Sequence, residues 1–112
     1  MKSPYELSHN NNSLAISSSG RIDIIDWNHL VRIEADSNYC RLFLENGKIL
    51  FVAKVLKKFE AKLDRQLFIR PHKTHLVNKN FISSYIKGVH ASLMLSNGEQ
   101  IPVARSKKGL FL

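Results

Sequence analysis

The sequence predicts a mostly β domain with one packed helix, and three observations carry that prediction. Residues 30–36 alternate apolar Val31, Ile33 and Ala35 with Arg32, Glu34 and Asp36, the two-residue period of a half-buried strand. Two Asn-Gly pairs, Asn46-Gly47 and Asn97-Gly98, each sit between apolar runs, where they suit the positive φ angles of a tight type I′ turn. One stretch, about residues 55–63, changes period: Leu56, Phe59 and Leu63 fall at i, i+3 and i+7, on one face of a helix.

Taken along the chain, residues 1–12 end in Ser8-His9-Asn10-Asn11-Asn12 and predict a flexible polar lead-in, with the folded domain over 13–112. Residues 14–17 alternate weakly, and Ile22-Asp23-Ile24-Ile25 is short and β-branched. Residues 40–44 and 48–52 flank the first Asn-Gly pair, and 92–95 and 99–103 flank the second, which predicts two hairpins. Residues 42–49 and 93–101 look alike; shared hairpin chemistry accounts for this, and one echo does not establish a repeat. Pro102 cannot donate to a ladder, so its strand is an edge or ends there. The nine-residue helix is too short to stand alone in water and must pack on the sheets. Lys57, Lys58, Glu60, Lys62 and Asp64 lie off its apolar face, and its lysines are better explained as a solvated face than as a surface that reads DNA.

A chain of 112 residues supports one core, and 44% hydrophobic residues fit a folded domain. No run approaches the roughly 18 apolar residues of a membrane span. Met1-Lys2-Ser3-Pro4-Tyr5 is followed by no apolar stretch, so no secretory signal is expected. The single cysteine, Cys40, has no partner for an internal disulfide, which fits a cytoplasmic location. The formal net charge is +8 and unevenly spread. Through Asp64 there are nine Lys/Arg against eight Asp/Glu; from Arg65 onward there are eight against the single acid Glu99. A polyanion approached by the second half is one explanation, and simple solubility is the other.

Catalysis has little support. His72-x-x-His75 has metal-pair spacing, but Cys40 is the only thiol and no acid lies nearby, so neither metal nor cofactor is expected. No phosphate loop, nucleophile elbow or HExxH occurs. Residues 68–80 are different. Arg70, His72, Lys73, Thr74, His75, Asn78, Lys79 and Asn80 come with no acid among them, and each can donate to a phosphate or a base edge. The same composition also describes an ordinary polar loop bonding its own backbone. Residues 101–109, with Arg105, Lys107 and Lys108, form a second acid-free segment; a frayed soluble terminus is the plainer account. Asn38 and Tyr39, in a turn between two strands, form a third candidate beside simple turn chemistry.

Together these segments resemble the LytTR family, effector domains of transcription factors and two-component response regulators. The resemblance rests on Ile33-Glu34-Ala35-Asp36-x-Asn38-Tyr39, Leu44-x-Asn46-Gly47-Lys48 and Leu56-x-x-Phe59-Glu60-x-x-Leu63. It continues through Phe68-Ile69-Arg70-x-His72-x-Thr74-x-Leu76-Val77-Asn78-x-x-Phe81-Ile82 and Leu95-x-Asn97-Gly98-x-x-Ile101-Pro102-Val103-x-Arg105. Five motifs stand in order over residues 14–112. The resemblance implies an elongated arrangement of small, mainly antiparallel sheets. It also implies sequence-specific binding of double-stranded DNA by loops in successive major grooves, rather than by a recognition helix.

By position, the resemblance makes Asn38, Tyr39, Lys73 and Arg105 base readers. Arg70, His72, Thr74, His75, Asn78, Lys79, Lys107 and Lys108 become phosphate-binding or loop-positioning groups, with Asn78 alternatively structural. His75 departs from the aromatic that many members carry, which alters loop packing or adds a base contact. The expected partner is duplex DNA, with a second copy on repeated half-sites as a further one. A stand-alone regulator and a piece of a longer one are both compatible, a receiver or sensor domain lying elsewhere in the second case. Two rivals stand. An RNA or single-strand binder would need exposed aromatics, for which Tyr39 and Tyr85 are the candidates. A protein-interaction module would use an exposed strand edge.

Overall fold

Two-residue alternation recurs in ten short strands over residues 12–112, the part that the computed structural model describes. The lead-in expected over 1–12 lies, apart from Asn12, outside the described residues. Strands β1 (Ser13–Ser18) and β2 (Arg21–Asp26) form a hairpin, and a 3-10 turn, Trp27–His29, follows. Next come β3 (Leu30–Asp36), β4 (Tyr39–Leu44), β5 (Ile49–Val52) and helix α1 (Leu56–Lys62). Strands β6 (Phe68–His72) and β7 (His75–Asn78) lead through a second 3-10 turn, Lys79–Phe81, into β8 (Ile82–Ile86), β9 (Ser92–Leu95) and β10 (Gln100–Pro102). A third 3-10 segment, Arg105–Leu110, follows β10. The strands make a two-stranded sheet, a five-stranded sheet in the order β5-β4-β3-β7-β6, and a three-stranded sheet in the order β10-β9-β8. Every pairing is antiparallel. Pro102 closes β10, an edge strand, as its missing donor requires.

Both Asn-Gly hairpins form, but not with the type I′ turn expected. Only the glycines take positive φ, +91° at each of Gly47 and Gly98. The Gly47 N–H donates to the Leu44 carbonyl, the Leu44 N–H to the Lys48 carbonyl, and the Lys48 N–H to Asn46 Oδ1. Leu95, Asn97, Gly98 and Glu99 repeat these bonds. Asparagine thus serves as a side-chain acceptor ahead of a left-handed glycine, the three-residue loop that shares this dipeptide with the two-residue one.

One face of the five-stranded sheet is covered along its whole width, and the other at β3, β7 and β6. Leu76 and Val77, neighbours on β7, point into different cores. The first core joins Leu14, Ile16 and Ile25 of the β1–β2 hairpin to Ile33, Leu42 and Leu76, and to the helix stripe Leu56 and Phe59 with Leu63. The second sets Val31 and Val77 against Ala91, Leu93, Leu95, Ile101 and Val103. One expectation is corrected here: Val31 does not share a face with Ile33. A register shift between Leu30 and Arg32 turns Val31 to the opposite side. Helix α1 lies within the expected span and buries the expected residues. The result is elongated, 48 × 28 × 24 Å.

Candidate nucleic-acid interface

Antiparallel pairing of β3 with both β4 and β7 fixes which loops share an end of the molecule. Asp36 pairs with Tyr39 and Glu34 with His75, so the Ser37-Asn38 turn and the Lys73-Thr74 turn lie side by side. The Ala35 N–H donates to the Thr74 carbonyl at 2.8 Å and ties them together. The chain after β10 joins the same end, because the Ala104 N–H donates to the Pro71 carbonyl at 2.9 Å. A cleft of about 460 Å3 runs between the last two of these segments, lined by Arg70, His72, Lys73, Ser106 and Lys107, with Glu60 as its one acid. Three segments far apart in sequence therefore meet at one end, two of them around a basic cleft.

Asn38, Lys73 and Arg105 are exposed and make no side-chain hydrogen bond or ion pair with another described residue. Ser37 holds the first turn with φ +57°, a left-handed conformation rare outside glycine. Tyr39 donates to Asp36 Oδ2 at 3.1 Å and stands 6.1 Å, ring to ring, from Phe51.

The remaining polar groups hold the loops rather than present themselves. Arg70 donates to Glu60 Oε1 at 2.7 Å and to the Lys73 carbonyl at 2.8 Å. Thr74 Oγ1 sits between two rings, 2.8 Å from Nδ1 of His72 and 2.9 Å from Nδ1 of His75. On the far side of its ring, Nε2 of His75 lies 3.3 Å from Glu34 Oε1. Burial holds the His75 pKa below the ordinary histidine value, outweighing the opposing pull of Glu34. Glu34 also accepts from Arg32 at 2.7 Å and Arg41 at 2.6 Å. Arg32 is buried between Glu34 and Glu99 with its guanidinium 3.7 Å from the Phe43 ring centre; burial pulls its pKa down, but the two carboxylates outweigh it and hold the pKa above the ordinary arginine value. Although basic, it belongs to the scaffold.

Two expected phosphate or positioning groups, Asn78 and Lys79, fall elsewhere. Asn78 is fully buried; its amide donates to the Trp27 and Leu30 carbonyls and accepts from the Asn80 N–H, so its role is structural. Lys79 is exposed but stands at the other end of β7, about 16 Å along the strand from the Lys73 turn at roughly 3.3 Å per residue. Lys108 donates to the Gly88 carbonyl at 2.8 Å, whereas Lys107 is unpaired among the described residues. Tyr85 stacks on Phe111 at 5.2 Å, which occupies one face of its ring.

No group of three or more His, Cys, Asp and Glu that could hold a metal occurs among the described residues, and no helix is long and apolar enough to cross a membrane. The family model of the LytTr DNA-binding domain matches residues 20–111. The chain belongs to the LytTR family. A solved structure, the LytTr DNA-binding domain of a protein described as a methyl-accepting/DNA response regulator from Bacillus cereus, superposes with a TM-score of 0.76 at 22% identity. The match covers 89% of this chain and 93% of that one. Two curated relatives from Paraburkholderia xenovorans, the heme-containing CO-sensing transcriptional regulators RcoM 1 and RcoM 2, are 24% and 25% identical over 97 residues. Those matches cover 84% of this chain but only 36% of each relative.

In this LytTR domain a fourth loop adjoins the same end. Val89 and His90, between β8 and β9, line a cleft of about 380 Å3 with His72 and Ala104. His90 and the neighbouring Lys87 are exposed, and sequence reasoning missed both. Their only signal was membership of the acid-free run between Arg65 and Glu99.

Proposed function

We propose that this domain binds double-stranded DNA sequence-specifically, with its loops in the major groove, and is the DNA-binding part of a transcriptional regulator. The observation that carries this is the convergence of three loops at one end, presenting Asn38, Lys73 and Arg105 without side-chain partners among the described residues. Asn38, Tyr39, Lys73 and Arg105 read base edges, where asparagine suits adenine and the two cations suit guanine O6 and N7. Lys107 and Lys108, with His90 and Lys87 alongside, contact phosphates, and Lys79 meets the backbone farther out. Arg70, His72, Thr74 and His75 set loop shape. Phosphate contacts supply most of the affinity and the few base contacts supply the preference. Catalysis forms no part of this function. The folding unit runs over 13–112, since Leu14 and Ile16 of β1 are buried in the first core although they precede the family match. Signal input comes from a receiver or sensor domain outside this chain, and repeated half-sites take a second copy.

Selection from a random duplex pool, with RNA and single-stranded DNA as competitors, tests the proposal. Enrichment of a defined duplex motif that the competitors do not erase is the expected outcome. Enrichment of RNA or single strands, or of no motif at all, contradicts it.

A further inference from the structure

One side chain at the binding end serves neither the fold nor the loop scaffold. Phe51 is 67% exposed, on the edge strand β5. Its cross-strand partner is Arg41, which pairs with Glu34, which pairs with His75, which pairs with His72. Cross-strand partners share a face, so these five side chains form one transverse row beneath the binding loops. Four are polar and bonded to neighbours; the fifth, at the open edge, is an aromatic ring in water. Phe51 touches Tyr39, which is 37% exposed and adjoins Asn38. An apolar corner therefore continues directly from the Asn38 turn.

The major groove presents one apolar group, the C5-methyl of thymine, and side chains of this kind recognise it by contact. We infer that Phe51, backed by Tyr39, is a specificity-determining residue that packs on a thymine methyl beside the base pairs met by the Asn38 turn. The inference rests on the loop-binding proposal above. It differs from the alternative in which β5 is an edge for a protein partner, because that surface would need Ile49, also exposed and farther from the loops, as much as Phe51.

The test uses the duplex enriched by the whole chain, with each thymine replaced in turn by deoxyuridine, which removes only the methyl. Wild-type protein is expected to lose about fourfold in affinity at one thymine, the factor that burying one methyl-sized group is worth. Phe51→Ala should bind the thymine duplex about as weakly as wild type binds the uracil one, and should not distinguish the two. Ile49→Ala should keep the full discrimination. Because Phe51 is exposed, both variants should keep the wild-type melting temperature. A pool yielding no motif overturns this inference together with the proposal beneath it. A motif whose every thymine tolerates uracil, or a Phe51→Ala protein that still discriminates, overturns this inference alone.

Discussion

The Nη2 of Arg70 donates to the backbone carbonyl of Lys73 at 2.8 Å, while Nη1 of the same guanidinium holds Glu60 of α1 at 2.7 Å. One planar fork thus ties the tip of the β6–β7 turn to the helix. Lysine cannot make both bonds in that geometry. Arg70→Lys should therefore keep the charge but loosen the Lys73 turn. We expect preference for the enriched duplex over a scrambled one to fall several-fold, with affinity for the scrambled duplex nearly unchanged. Competition binding with the two duplexes checks this; equal losses on both would mean that Arg70 acts as a phosphate contact.

Arg105 and Lys107 are two residues apart and are expected to behave differently. Arg105→Ala should cost about 1–3 kcal/mol on the enriched duplex and relax preference at one base pair. Lys107→Ala should weaken enriched and scrambled duplexes alike and lower the slope of log affinity against log salt by about one. Salt titrations of both variants on both duplexes separate these roles, and the same loss of preference from both would refute the division.

Asn78 makes three hydrogen bonds, two of them buried, and lies far from the binding loops. Asn78→Ala leaves the Trp27 and Leu30 carbonyls without their donor, at a cost of about 2–4 kcal/mol in urea unfolding. Whatever protein remains folded should keep the wild-type base preference. An altered preference at unchanged stability would mean that Asn78 belongs to the interface.

Stability should fall with acid in two windows. Burial lowers the His75 pKa, so the unfolded chain takes up that proton first. Stability is full above the ordinary histidine value of 6.5 and declines as pH falls below it. Glu99 is held low by Arg32; in Glu34 the cations, Arg32 foremost, outweigh burial. These carboxylates contribute above their ordinary value of 4.5 and are lost as pH falls through their lowered values. Thermal unfolding across pH 3–8 should show both declines, and His75→Gln should flatten the upper one only. An unchanged upper decline in His75→Gln would rule out His75 as its source.

Local chemistry was legible in the sequence, and long-range placement was not. Asn-Gly between apolar runs located two hairpins, and Leu56, Phe59 and Leu63 located the helix, because each signal lies within a short stretch of chain. Choosing between a two-residue and a three-residue hairpin depends on the φ of Asn46 and Asn97, which the dipeptide alone leaves open. The bulge after Leu30 broke an alternation that read cleanly, sending Val31 into a second core that sequence analysis had not separated from the first. The same limit governed the interface. Lys73 and Lys79 looked like neighbours in one basic segment, yet a whole strand divides them. Arg105 was joined to Lys73 only through the family resemblance; physically the link is the Ala104–Pro71 hydrogen bond, a pairing that no local pattern encodes. Arg32 carried the same charge as the candidate readers, and only its burial between Glu34 and Glu99 marks it as scaffold.

The central claim is that loops at one end, not the helix, meet the duplex. Backbone amide chemical shifts, recorded as the enriched duplex is added, test this most directly. The largest changes should fall at Ser37–Tyr39, His72–Thr74 and Ala104–Lys107, with the amides of Lys57, Lys58 and Lys62 on α1 scarcely moved. Changes concentrated on the α1 lysines, with the three loops undisturbed, would contradict the claim.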